Sequence, residues 1–109
     1  MIKYSIVSDV TITDAIRDYI ENKLQKVEPL LSPTANSDMK LRLDKVTEGY
    51  NFTATLIVEG LRQGLASQTY KASEINKDAY AAIDEVEEKL KRQVRKTLTN
   101  INRDSRHKQ

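Results

Sequence analysis

A chain of 109 residues, 39% of them hydrophobic, has the material for one compact core, and with no Cys it has no disulfide, thiol nucleophile or cysteine-ligated zinc. Its net charge of +2 conceals an asymmetry: residues 1–88 carry ten Lys/Arg against fifteen Asp/Glu, whereas residues 89–109 carry eight against one. No apolar run approaches the roughly 18 residues of a membrane span and the start, MIKYSIVSD, lacks a signal-peptide pattern, so we expect a cytoplasmic protein with no membrane partner, whose charge distribution selects what it binds.

Ile2, Tyr4 and Ile6 alternate with Lys3 and Ser5, the period of a strand with one buried face. Thr13 is placed to cap a helix on which Ile16, Ile20, Leu24 and Val27 recur at spacings of four, four and three, with Asp14 in the first turn and Pro29 and Pro33 as terminators. Met39, Leu41 and Leu43 alternate with Lys40, Arg42 and Asp44; Val46 breaks the parity, which predicts a bulge near Lys45 or an early strand end. After a turn at Glu48 and Gly49, the set Tyr50, Phe52, Ala54, Leu56 and Val58 faces away from Asn51, Thr53 and Thr55. Gly60 and Gly64 frame a hairpin loop, and a fourth strand follows with Ala66, Tyr70 and Ala72 as its inward candidates. The spacing of Ile83, Val86, Leu90, Val94, Leu98 and Ile101 predicts a long helix over Asp78 to Arg103, with an apolar stripe of roughly 27 Å.

The order is βαβββα. With one apolar face per strand, the economical packing is an α+β domain in which a four-stranded sheet carries both helices on one side. Residues 1–103 form that single domain, and 104–109, polar and without periodicity, are expected to be a flexible basic tail.

Little in the chain has the makings of catalysis. The one His, His107, lies near a polar terminus, and Gly49, Gly60 and Gly64 do not make a phosphate-cradling loop. Asp84 with Glu88, or Glu21 with Glu28, could pair carboxylates on a helix face, but neighbouring charges make solvated faces the better reading. We therefore expect no catalytic residue, metal, cofactor or small-molecule substrate. Lys and Arg late in a helix complement its dipole, yet eight in 21 residues, continuing as Arg103, Arg106 and Lys108, exceed what capping needs and point to a polyanion. The sheet face away from the helices would show Lys3, Ser5, Lys40, Arg42, Thr53 and Thr55, not a ring platform, and Tyr4, Tyr19, Tyr50, Tyr70 and Tyr80 fall mostly at inward positions. Backbone and shape recognition by helix cations, including Arg17, Lys23 and Lys26, is what this leaves. Two rivals stand beside it: a protein-interaction module using the acidic run Asp84 to Glu88, and a general double-stranded RNA binder.

Two segments carry a family resemblance: Ile12 to Glu28, ITDAIRDYIENKLQKVE, and Asp78 to Arg103, with DAYAAID followed by EKLKRQVRK. They resemble the ribosome hibernation promoting factors, a group that includes the ribosome-associated inhibitor also called the ribosomal subunit interface protein. The resemblance runs from Ile2 to Arg103, and its most specific part is Tyr80 to Asp84 together with KLxRQxRK over Lys89 to Lys96. It implies a βαβββα fold similar to a double-stranded-RNA-binding domain and a stationary-phase or stress protein that regulates translation. Such a protein would bind the small ribosomal subunit, through 16S-type rRNA and neighbouring ribosomal proteins, in the channel for mRNA and tRNA, and would inhibit by occupancy. The implied rRNA contacts are Lys23, Lys26, Lys89, Arg92, Arg95 and Lys96, with Arg17 and Lys45 at the margin, while Tyr80, Ile83 and Leu90 match packing positions. Asp78, Ala79, Tyr80 stands where the family usually has Asp-Met-Tyr, a small change in packing. The chain lacks the linker and second domain of the long form, which brings two ribosomes together, and the acidic extension of the inhibitor subtype. That implies a short form or the amino-terminal part of a long one.

Overall fold

The computed structural model describes the backbone of residues 2–61 and 65–107, and the side chains of those residues as far as Asn100. Strand β1 (Ile2–Ser8) leads into helix α1 (Asp14–Leu24) and a 3-10 turn over Gln25–Leu30; β2 (Asn36–Val46), β3 (Gly49–Glu59), β4 (Gln68–Asn76) and helix α2 (Ala79–His107) follow. The strands lie side by side in chain order, β1 parallel to β2 and the other pairs antiparallel. A parallel pair requires a crossover, which the α1 segment supplies, whereas the antiparallel pairs need only hairpins. Met39, Leu41 and Leu43 of β2, Phe52, Ala54, Leu56 and Val58 of β3, and Tyr70 and Ala72 of β4 are buried against Ile20 and Leu24 of α1 and Ala82, Ile83, Val86, Leu90 and Val94 of α2. The fold is the α+β arrangement that the alternation and helical stripes predict.

The Ile16 backbone N–H donates to Thr13 Oγ1 at 3.2 Å, so the expected cap starts α1. The α-helix stops at Leu24, short of Val27. Pro29 has no N–H, and its ring would strike the carbonyl four residues back, so the chain tightens into the 3-10 turn, from which Val27 still reaches the core.

Neither the bulge near Lys45 nor the early strand end expected of β2 occurs: its register with β3 runs unbroken from Asn36 opposite Glu59 to Val46 opposite Gly49. Val46 breaks the apolar parity because it is the last paired residue, half-buried on the other face beside the two-residue turn Thr47–Glu48. Lys45 keeps phase with Leu43 but is exposed, at the end of the sheet. Gly49 has φ +139°, and a Cβ there would lie 2.3 Å from the Asn76 carbonyl oxygen, so this corner needs glycine twice over. Ala66 is exposed and precedes β4, outside the alternation in which it is expected; Tyr70 and Ala72 do face inward. The expectation at Gly64 lies outside the described residues.

Helix α2 runs antiparallel to β4. The Asn76 side-chain amide donates to Glu85 Oε1 at 2.7 Å, Gln93 Nε2 to the Lys71 carbonyl at 3.0 Å, and Tyr70 Oη to Thr97 Oγ1 at 2.9 Å. Its 29 residues span about 43 Å, longer than the nine-residue strand beneath, and the molecule is elongated, 53 × 24 × 18 Å. Among the residues whose side chains are described, Val94 is the last fully buried one of the stripe and Leu98 is half-buried; the expectation at Ile101 lies outside them. The helix continues four residues beyond Arg103, through the start of the expected tail. No Gly or Pro interrupts that stretch, and extending an existing helix costs far less than nucleating one.

Candidate nucleic-acid interface

Arg92, Arg95 and Lys96 are exposed on α2, and their spacing of three and four places them on one broad helix face. Arg92 and Arg95 line a shallow groove with Glu88 and Lys91. Among the described residues no salt bridge engages Arg92, Arg95 or Lys96. Lys89 is placed differently. Its ammonium pairs with Glu74 of β4, and that hydrogen bond holds the Glu74 carboxyl below its ordinary range, so Lys89 links helix to sheet while its side chain remains 44% exposed.

On the other flank of α2, α1 contributes Lys23, with Arg17 exposed on α1 and Lys26 exposed on the 3-10 turn. Tyr19 Oη donates to Asp84 Oδ1 at 2.6 Å, and Lys23 Nζ lies 3.3 Å from the same oxygen. The ammonium also sits 5.8 Å from the centroid of the Tyr19 ring, and Tyr80 packs edge-on against that ring at 4.7 Å and 88°. The bond to Asp84, helped by burial and the carboxylate's charge, pushes the Tyr19 hydroxyl up to about 12. This corrects two expectations. Asp84, though 44% of its side chain is exposed, is a bonded junction between the helices and not a bare solvated acid, and Tyr80 packs on the Tyr19 ring instead of in the core, being 38% exposed.

The remaining acids of α2 are largely engaged too: Glu85 accepts from Asn76, and Glu87, buried to 4% exposure, pairs with Lys91 at 2.8 Å, leaving Glu88 exposed. Lys45 lies apart from the helix cations. Its register opposite Tyr50, itself opposite Asn76, puts it beside the start of α2, in a cleft with Ile16, Tyr50, Lys77 and Tyr80, while Arg95 and Lys96 lie toward the Tyr70 end. The face away from the helices shows Lys3, Ser5, Lys40, Arg42, Lys71 and Ser73 exposed, with Arg42 bonded to Asp44.

The structure thus gathers Arg92, Arg95 and Lys96 along the outer half of α2 and ties Lys23 to the same helix through Asp84. Lys91 joins the groove although it is absent from the residues the sequence singles out; its spacing of four from Glu87 was the available signal. The Tyr19–Lys23 and Tyr80–Asp84 spacings, also four, likewise mark two helix faces whose meeting only the fold reveals. Among the described residues no cluster of His, Asp and Glu suits a metal ion, and no helix is long and apolar enough to cross a membrane.

The profile of the family described as Sigma 54 modulation protein / S30EA ribosomal protein matches residues 4–102. A ribosome hibernation promotion factor of Staphylococcus aureus (strain COL) is 42% identical over 107 residues, covering 97% of this chain and 53% of the relative, so the chain spans about half that protein's length. Among solved structures, the N-terminal domain of Thermus thermophilus Protein Y is similar with a TM-score of 0.67 and 28% identity, over 89% of this chain and 99% of that one. A ribosomal subunit interface protein from Coxiella burnetii shares the fold, with a TM-score of 0.61 and 21% identity over 90% and 97% of the two chains.

Proposed function

The chain belongs to the Sigma 54 modulation protein / S30EA ribosomal protein family, and from that premise we propose that it is a ribosome hibernation factor, binding the small ribosomal subunit through the cations of its two helices and inhibiting translation by occupying the mRNA and tRNA channel. The observation that carries this reading is the exposed set Arg92, Arg95 and Lys96, none of them in a salt bridge among the described residues, on the second half of α2. A phosphate that meets Arg92, Arg95 or Lys96 displaces only counterions, with no ion pair among the described residues to compete for them. Lys23 and Lys26 extend the basic surface from the α1 side, and Arg17, Lys89 and Lys45 contribute at its edges. Inhibition by occupancy requires no bond to form or break, so affinity and shape are the whole mechanism. The setting is the cytoplasm of stressed or stationary-phase cells.

The engagement of Asp84, Glu85 and Glu87 inside the domain disfavours the rival in which this acidic run docks a basic protein, since only Glu88 remains for that purpose. A general double-stranded RNA binder would be competed off by any A-form duplex.

Co-sedimentation of the purified protein with isolated small subunits tests the proposal. Binding should weaken with salt at a log–log slope of about −4 if about five phosphates are neutralised, and mRNA plus initiator tRNA should displace it. The double reversal Arg92→Glu with Lys96→Glu should abolish association. Binding by the double variant equal to wild type would remove α2 from the interface.

A further inference from the structure

We propose that Asp84 is a positioning residue for the polyanion-binding surface: with the Tyr19 ring it holds the Lys23 ammonium in place, so that this negative charge strengthens RNA binding instead of opposing it. The inference rests on the proposal that Lys23 meets RNA phosphate.

Charge alone argues the reverse. A carboxylate beside cations that face phosphates repels the ligand, and neutralising it should tighten binding. Against this stands the geometry. One oxygen, Asp84 Oδ1, receives the Tyr19 hydroxyl at 2.6 Å and lies 3.3 Å from Lys23 Nζ. The Tyr19 ring lies 5.8 Å from the same ammonium, and Tyr80 braces that ring edge-on. A lysine is a point charge on a four-carbon stem with many rotamers, and the freedom it loses on meeting a phosphate is a cost of binding. Here that freedom is restricted as the domain folds, by groups from both helices. The Tyr19 hydroxyl is protonated throughout the physiological range, as a phenol with the ordinary pKa of 10 already is, and so stays a donor to Asp84; that bond is the largest of the causes raising its pKa to about 12. Lys23 is nonetheless accessible, with 27% of its side chain exposed beside an Asp84 that is 44% exposed, so the ammonium can meet a phosphate while still held. Lys26 and Arg17, exposed and without a salt bridge among the described residues, lack such a bracket.

The test is a double-mutant cycle read by affinity for purified small ribosomal subunits, with side-chain ammonium ¹⁵N relaxation measured on the free protein. Asp84→Asn should weaken binding about threefold to fivefold, the size of a partly exposed ion pair, although it raises the net charge by one. Asp84→Glu should recover part of the loss. In a Lys23→Met background Asp84→Asn should weaken nothing further, whereas a plain structural staple would weaken both backgrounds alike. Relaxation should show the Lys23 ammonium more ordered than that of Lys26 in wild type and equally mobile in Asp84→Asn. Tighter or unchanged binding by Asp84→Asn, equal weakening in both backgrounds, or a Lys23 ammonium already as mobile as Lys26 overturns the proposal. Arg92→Glu with Lys96→Glu, run alongside, separates the two ideas: wild-type binding by that variant sinks the α2 surface, while relaxation on the free protein still decides the positioning.

Discussion

The hydroxyls of Tyr4 and Tyr19 are both raised to about 12, for different reasons: burial is the largest cause for Tyr4, with Glu28 and Glu21 adding to it, and the bond to Asp84 is the largest for Tyr19. A folded-state pKa above the ordinary 10 means that the fold favours the protonated phenol. The associated stability is fully present below about pH 10 and is lost as the pH rises through about 12. Tyrosinate absorbance should therefore show late ionisation at both residues, with Tyr4→Phe and Tyr19→Phe each removing one late component. Asp84→Asn should bring Tyr19 forward and leave Tyr4 late, with circular dichroism following the fold in parallel. A late phase unaltered by Asp84→Asn would disconnect Tyr19 from that carboxylate. The sequence contains both halves of this cluster as i,i+4 pairs, but Tyr19 and Asp84 are 65 residues apart, and no local pattern reports a bond across that distance.

Among the elements, the strands were the most legible, because a one-residue slip would carry Phe52, Ala54, Leu56 and Val58 from the core to the open face. Their boundaries were less so. The parity break at Val46 predicts a bulge or an early strand end, yet the ladder continues unbroken to the turn, since the last rung of a hairpin is not required to bury its side chain. What fixes that corner is Gly49, with φ +139° and the Asn76 carbonyl where a Cβ would go. Gly49→Ala should destabilise the fold by about 2 kcal/mol or more, from backbone strain together with the clash. Thermal unfolding should show a drop of roughly 8 °C or more; a shift within two or three degrees would mean that the turn relaxes freely.

At the scale of the molecule, α2 sets both shape and charge distribution. Its first half is bound down on two sides, by Tyr19 and Lys23 of α1 and by Glu74 and Asn76 of β4, whereas among the described residues its stripe is fully buried as far as Val94. Among the described residues, ties to the rest of the domain are thus concentrated on the first half of the helix and exposed cations on the second. A chain ended after Asn100 should keep its melting temperature within a few degrees, because it retains every residue of the buried core among the described ones. It sheds Arg103, Arg106 and Lys108, and its salt slope for small-subunit binding should become shallower by up to about two to three. An unchanged slope would confine the contacts to residues before 101.

The sequence by itself determined the α+β order, the inward set of each strand, the stripe of α2 and the basic bias of its second half. Each of these repeats at the period of its own element, so short windows contain the information. The family resemblance was legible for the same reason, in two continuous segments. Only the tertiary structure decided which charges remain available. Lys89 is paired with Glu74, Asp84 joins Tyr19 to Lys23, Glu87 is buried against Lys91, and Lys45 stands at the opposite end from Arg95 and Lys96. A charge on a helix face reads alike in sequence whether it meets solvent or a partner. The distinction depends on which strand or helix is packed alongside, and apart from the single-turn Glu87–Lys91 pair that is a long-range property of the fold.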